Sequence, residues 1–375
     1  MISDKISVNM YSPLPDYTEH QIEYQESINN VLLHGKFING PEVTELENKL
    51  ATYVGVSNCI SVASGTDALL VALMALGIGH GDEVITVAHT WISTAEVIAV
   101  IGAKPVFIDV NRDTFLMDLQ QVKEKVNHKT KALIYVSLYG QSDYPEKISQ
   151  LCQELDIYLI EDGAQSFGCE SNGIKSCSWG DIGCTSFFPS KPMGAYGDAG
   201  ACFTNNPELA NKIRAIKNHG GLVRFQHNYI GLNARMDTIQ AAILLIKFKY
   251  FDQAISKRRK FAEYYSDKLK NIDGLVVPTI INPGGTKHSW AQYTILITSE
   301  KISRDQVLEK LKENGVNASI FYPIGLQHQP CFQQFDPPEL INTDWVCQHV
   351  ISLPLYPELS IQEINHVIKC LKKLF

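Results

Sequence analysis

Lys191 follows an apolar β-like run at once, in Thr185-Ser186-Phe187-Phe188-Pro189-Ser190-Lys191-Pro192-Met193-Gly194, whereas most lysines sit on solvated faces. Burial there would lower the ammonium pKa and leave an amine usable as nucleophile and proton carrier. The Gly-rich stretch Gly194-Ala195-Tyr196-Gly197-Asp198-Ala199-Gly200 then supplies tightly turning backbone. In Glu161-Asp162-Gly163-Ala164-Gln165, a carboxylate leaves a buried strand end, poised to meet a cation or a protonated ring nitrogen. A helix N-cap or a loop ion pair is the ordinary alternative. Ser64-Gly65-Thr66-Asp67 reads as a strand-to-helix turn in which Gly65 allows close backbone approach and free N–H groups face any anion. A Thr or Asp N-cap explains that turn equally well. Trp91, in Thr90-Trp91-Ile92-Ser93, follows another strand and could stack on a flat ring or fill the core.

Each feature alone has a plain explanation. Together, an anion nest, an acid for a ring nitrogen, a stacking aromatic and a Schiff-base lysine are what pyridoxal 5'-phosphate (PLP) requires. The acid keeps the pyridine nitrogen protonated, and the lysine holds the aldehyde and then carries the proton between carbons.

The elements that must position these residues are short apolar runs alternating with amphipathic segments from about residue 57 to 204. Strands are predicted at 59–63, 83–88, 105–110, 132–136 and 157–160, with helices after Ser64, from about Ser93, near 116–126 and over 145–155. Strands apolar throughout and alternating with helices imply a mostly parallel sheet covered on both faces. Two further β-like runs, 182–188 and 200–204, are too close for a helical crossover, so the sheet is expected to be mixed there. Helices are predicted over 207–218 and 237–270, the second long enough to bridge two domains. Strands follow at 275–278 and 293–297, then a helix opened by the capping box Ser303-Arg304-Asp305-Gln306, and a closing amphipathic helix at 361–374. The expectation is an α/β protein with a large domain over 1–250 and a smaller α/β domain over 251–375, on which the N-terminal segment is a candidate to pack.

Composition narrows the function classes. The chain has 375 residues, 45% of them hydrophobic, and a formal net charge of −7 without a long basic block. Nucleic acid and anionic membrane surfaces are therefore not expected partners. No apolar run approaches the roughly 20 residues needed to cross a bilayer. Met1-Ile2-Ser3-Asp4-Lys5 lacks a charged leader followed by an apolar stretch, and the nine cysteines form neither a CxxC pair nor a metal-ligand spacing. A cytoplasmic protein with isolated thiols and no metal site is the expectation.

The order and spelling of the motifs resemble the DegT/DnrJ/EryC1/StrS family of sugar aminotransferases, from about Gly35 to the C-terminus. The resemblance rests on Gly40-Pro41-Glu42-Val43, Ser64-Gly65-Thr66-Asp67-Ala68-Leu69, Glu161-Asp162-Gly163-Ala164-Gln165-Ser166, Ser186-Phe187-Phe188-Pro189-Ser190-Lys191, Gly231-Leu232-Asn233-Ala234-Arg235-Met236-Asp237-Thr238-Ile239-Gln240-Ala241-Ala242 and Phe321-Tyr322-Pro323. It implies a PLP-dependent transferase of fold type I, with a seven-stranded-type large sheet, working as a homodimer whose active sites are shared between subunits. Carried over by position, Lys191 is the Schiff-base lysine and Asp162 the partner of the ring nitrogen. Gln165 bonds near the ring hydroxyl, Gly65, Thr66 and Ser186 hold the phosphate, and Trp91 stacks on the ring. Asn233 reaches the phosphate from the neighbouring subunit. Arg235 either contacts substrate or orders its loop through a carboxylate pair, and Phe321 and Tyr322 face the sugar nucleotide.

The stretch Cys184–Gly197 is most similar to members acting on UDP-linked 2-acetamido-3-oxo uronic acids in lipopolysaccharide, O-antigen and other surface-polysaccharide synthesis. L-glutamate is then the amino donor and C3 of the nucleotide-linked keto sugar the acceptor. A dTDP-3-keto-6-deoxyhexose or a 4-keto sugar nucleotide is the alternative. Ala199 stands where a glycine is common, His89 where an aromatic ring is common, and Phe321 where a histidine precedes the tyrosine in the similar group. At His89 a core or hydrogen-bonded histidine is expected rather than a new catalyst. More remote alternatives are a PLP-dependent sugar dehydratase and a non-catalytic PLP-binding regulator. Lys191 argues against the first, which replaces the lysine with histidine, and Lys191 with Asp162 argues against the second.

Overall fold

A computed structural model describes residues 6–142 and 145–375; Met1–Lys5, read above for a secretory leader, lies outside the described residues. Three helices come first: α1 (Leu14–Glu19), α2 (Gln21–His34) and α3 (Pro41–Val54). Proline at its first position favours the start of α3, and Gly55 stops it in the left-handed conformation that glycine adopts without strain. Strands and helices then alternate as β1 (Asn58–Val62), α4 (Gly65–Ala75), β2 (Glu83–Val87), α5 (Ser93–Val100), β3 (Lys104–Ile108), α6 (Leu119–Lys125), β4 (Thr130–Val136), α7 (Pro145–Glu154) and β5 (Tyr158–Asp162). A hairpin of β6 (Glu170–Ser171) and β7 (Ile174–Lys175) precedes β8 (Ile182–Ser186) and β9 (Gly200–Thr204).

Among the described residues the main sheet has seven strands in the order β1-β9-β8-β5-β4-β2-β3. β9 runs antiparallel to both its neighbours, and the other strands share one direction. The mixed sheet expected from the short 186–200 connection is therefore present. The strand interiors are buried on both faces because helices cover both sides, which is why they read as unbroken apolar runs. α4 is apolar over most of its surface for a related reason: it packs on the sheet while contacting α5 and α8 (Pro207–Ile216).

α9 (Thr238–Leu269) is one helix of 32 residues, about 48 Å at 1.5 Å per residue. Its first half packs in the core that includes Phe167, Phe187 and Phe203. Its second half joins Ala262, Tyr265 and Leu269 to a separate core beneath the remaining elements. Those are β10 (Leu275–Val276), β11 (Thr286–Lys287), β12 (Tyr293–Ile297), α10 (Arg304–Glu313), α11 (Ile341–His349), β13 (Val350–Leu353) and α12 (Ile361–Lys372). β10, β12 and β13 form a second sheet, and both α10 and α12 open on complete capping boxes, at Ser303 with Gln306 and at Ser360 with Glu363. Val8 is buried in this second core and bridges to Val316, so the N-terminal segment packs against C-terminal elements.

A strap over residues 319–345 crosses from the second sheet to the first. Ser319 pairs with Ser352 of β13, and the Leu326 N–H donates to the Ala88 carbonyl beyond β2. Asp109, just past β3, accepts from the Asn342 and Thr343 amides at 2.8 and 2.7 Å and so caps the start of α11 from another part of the fold.

Candidate active site

The carboxyl ends of β1, β2, β4, β5 and β8 open on the same edge of the sheet, the place where α/β folds gather ligands. Five chain segments converge there: 64–67, 89–94, 137–139, 162–165 and 186–191.

Asp162 ends β5 and is buried. Its Oδ2 accepts from the Thr94 hydroxyl at 2.8 Å and its Oδ1 from the Ala164 amide at 3.1 Å. Burial pushes its carboxyl up, while those two hydrogen bonds and the charge of Lys191 pull it down. Lys191 lies in the turn between β8 and β9, where burial lowers its ammonium from 10.5 to about 8 and Asp162 acts in the opposite sense. Among the described residues neither side chain makes an ion pair at salt-bridge distance. A buried acid and a desolvated amine thus face one cleft without permanent counter-ions.

Ser64 caps α4, its Oγ accepting from the Asp67 amide at 3.0 Å, so the expected N-cap belongs to Ser64 rather than to Thr66 or Asp67. Gly65 packs against Ser186 so closely that a Cβ would lie 2.6 Å from Ser186 Cβ. Thr66 Oγ1 lies 2.7 Å from Ser93 Oγ, and Ser186 Oγ accepts from the Phe188 amide at 3.2 Å. Gly65, Thr66 and Ser186 therefore form one polar corner at the N-terminus of α4, where amide dipoles favour an anion.

Gln165 is buried and spans two segments: its Oε1 accepts from the Tyr139 amide at 2.7 Å, and its Nε2 donates to Tyr322 Oη at 3.1 Å. Trp91 is 58% exposed, with its ring 6.1 Å from that of Tyr322. An indole open on one side is available to stack, which a core tryptophan is not. Phe321 is fixed through its carbonyl, which accepts from the Tyr139 hydroxyl. His89 is fully buried with its Nε2 3.0 Å from Tyr139 Oη, and burial holds its imidazole near 3, hence neutral. It is the hydrogen-bonded core histidine expected above.

Asn233 and Arg235 are not brought into this cluster. Asn233 is exposed and its backbone bridges to Asn218, while Arg235 Nη1 donates to Asn218 Oδ1 at 2.9 Å. Arg235 Nε is buried with no partner among the described residues, and no carboxylate pairs with this guanidinium there. The preceding loop exposes Leu222, Val223, Phe225 and Ile230.

Sequence reasoning missed Thr94 and Tyr139. Thr94 sits three residues beyond Trp91 in the first turn of α5, a spacing that places both at one helix start. Tyr139 carried no such signal, since its role depends on contacts with residues 165 and 321.

Residues 18–372 match the model of the DegT/DnrJ/EryC1/StrS aminotransferase family. The chain belongs to that family. The UDP-2-acetamido-2-deoxy-3-oxo-D-glucuronate aminotransferase of Pseudomonas aeruginosa is 44% identical to this DegT/DnrJ/EryC1/StrS aminotransferase over 345 residues, covering 92% of this chain and 94% of that protein. A pleiotropic regulatory protein of Geobacillus stearothermophilus is 37% identical, covering 99% of both chains. Among solved structures, NtdA from Bacillus subtilis with its cofactor PMP bound superposes with a TM-score of 0.89 at 30% identity, covering 100% of this chain and 86% of that one. The fold is that of the PLP-dependent aminotransferases of this family.

Proposed function

We propose that this chain is a PLP-dependent aminotransferase that moves the amino group of L-glutamate to C3 of a UDP-2-acetamido-2-deoxy-3-oxo-glucuronate-type sugar nucleotide, in surface-polysaccharide and amino-sugar biosynthesis. The observation that carries it is the pair Asp162 and Lys191, buried or desolvated together without permanent ion partners. That pair fits PLP: Asp162 keeps acceptor capacity for a protonated ring nitrogen, and Gly65, Thr66 and Ser186 form a corner suited to a phosphate. The 44% identity to the P. aeruginosa enzyme supports the choice of sugar.

Bound PLP supplies an aldehyde that takes up the amino group and a ring that delocalises the electron pair left by the departing proton. Asp162, held in line by Thr94, would stabilise the positive charge on the ring nitrogen. With its pKa near 8, Lys191 is partly neutral at physiological pH and can accept the α-proton of glutamate and return it at the neighbouring carbon. In the second half-reaction the same amine works in reverse on the keto sugar. Trp91 would stack on the ring, Gln165 would bond beside its hydroxyl, and Tyr322 with Phe321 would face the sugar.

The working unit in this reading is a homodimer. The exposed apolar loop at 222–230 docks on the second copy, and Asn233 and Arg235, whose Nε has no partner among the described residues, serve the partner's site. Nine unpaired cysteines suit a reducing compartment, so the reading assigns the enzyme to the cytoplasm. The similarity to a regulatory protein raises a second reading, PLP binding without turnover.

One experiment separates the two. The absorbance of the PLP-loaded protein is followed on addition of L-glutamate, then of a panel of 3-oxo and 4-oxo sugar nucleotides. Conversion of the lysine-bound cofactor band by glutamate, and its return with the UDP-3-oxo uronic acid, is expected. A band that forms but ignores glutamate leaves the regulatory reading, and one that never forms removes PLP.

A further inference from the structure

His89 is fully buried just past β2, beside Tyr139, Tyr322 and Cys347. Its environment fixes the direction of a chain of hydrogen bonds. The Phe321 carbonyl can only accept, so the single hydroxyl proton of Tyr139 is committed to it. Tyr139 Oη can then only accept from His89 Nε2, 3.0 Å away, which places the imidazole proton on Nε2. In a neutral ring Nδ1 is then an acceptor, and Cys347 Sγ lies 3.4 Å from it with a thiol proton to give. The order is Cys347 to His89 to Tyr139 to Phe321, with every proton used once.

The chain has consequences at its far end. Phe321 precedes Tyr322, whose ring packs edge-on to His89 at 6.0 Å and whose hydroxyl accepts from Gln165. The Tyr139 backbone amide donates to the same Gln165. Between the backbone anchors at Ser319 and Leu326, seven residues apart, the strap is tied through the Tyr139 hydroxyl to Phe321 and through Gln165 to Tyr322, and both ties run through Tyr139.

We infer that His89 is a positioning residue for the sugar half-reaction, setting the Phe321–Tyr322 strap through Tyr139. The inference rests on the aminotransferase reading above for its kinetic part only. His89→Phe keeps a ring but removes the donor to Tyr139. His89→Gln keeps an amide donor near the place of Nε2 and a carbonyl acceptor.

The test measures each half-reaction separately. His89→Phe should raise KM for the keto sugar nucleotide about tenfold while the glutamate half-reaction changes less than about twofold, and His89→Gln should recover most of the loss. An unchanged sugar KM, equal loss in both halves, or no recovery with glutamine overturns the positioning role. A second readout needs no turnover: long-range proton–nitrogen NMR of 15N-histidine-labelled holoenzyme should show His89 protonated at Nε2 alone. Protonation at Nδ1 overturns the relay even if the enzyme is a transaminase. Wild-type protein inert to glutamate but protonated at Nε2 sinks the aminotransferase reading and leaves the relay intact.

Discussion

Replacing Lys191 with methionine should stabilise the protein stripped of cofactor. In the folded chain the ammonium titrates near 8 instead of 10.5, because burial disfavours its charge. Between those values the unfolded chain binds more protons than the folded one. Wild-type stability therefore climbs as pH rises from about 8 to about 10.5, and the full penalty applies below that window. The difference between 10.5 and about 8 corresponds to about 3 kcal/mol at pH 7. Part is offset in the variant, since Asp162 loses the nearby charge that lowers its carboxyl. The expected gain is about 2–3 kcal/mol at pH 7, falling below about 1 kcal/mol at pH 10. Equilibrium urea unfolding of the two proteins, at one protein concentration across the pH range, measures it. No gain at pH 7, or a gain that does not shrink on going to pH 10, would refute the claim that the active-site amine is held desolvated.

Two further perturbations test the corner for the phosphate and the anchor of the strap. Gly65→Ala drives a Cβ to within 2.6 Å of Ser186 Cβ, so PLP affinity should fall about tenfold or more as the corner is pushed open, read by cofactor titration. Asp109→Ala leaves the first amides of α11 uncapped and should cost about 1–2 kcal/mol in urea unfolding, with a raised sugar KM but little change in glutamate turnover.

Much of the large sheet was legible because each of its central strands is buried on both faces, which writes an unbroken apolar run into the chain. The same run-and-turn grammar exposed Lys191, whose position in the short turn between β8 and β9 is wrong for an ordinary surface lysine. The three helices before β1 were not legible. α2 buries only Tyr24 and Val31 and exposes Ile22, Leu32 and Leu33, so its apolar residues do not trace the face that the monomer covers. β13 and α11 were also missed, being short and adjoining, with Asp109 at 2.7 Å from Thr343 supplying a cap that no local pattern contains. At the site, the local motifs delivered Asp162, Gln165 and Gly65. The links that orient them, Thr94 to Asp162 and Tyr139 to Gln165, join residues 68 and 26 positions apart and leave no periodic trace.

The strap at 319–345 arrives from the second sheet, whereas Gly65, Asp162 and Lys191 sit at strand ends and turns of the first. Under the proposed function, bond-making chemistry and sugar choice would thus be written on separate stretches of chain. On that reading, a lineage would retune which sugar it accepts by mutating the strap and its Tyr139 tie, without disturbing Asp162 and Lys191. Such modularity lets one catalytic centre serve many acceptors, and it makes the strap the first place to direct libraries when a new amino sugar is wanted.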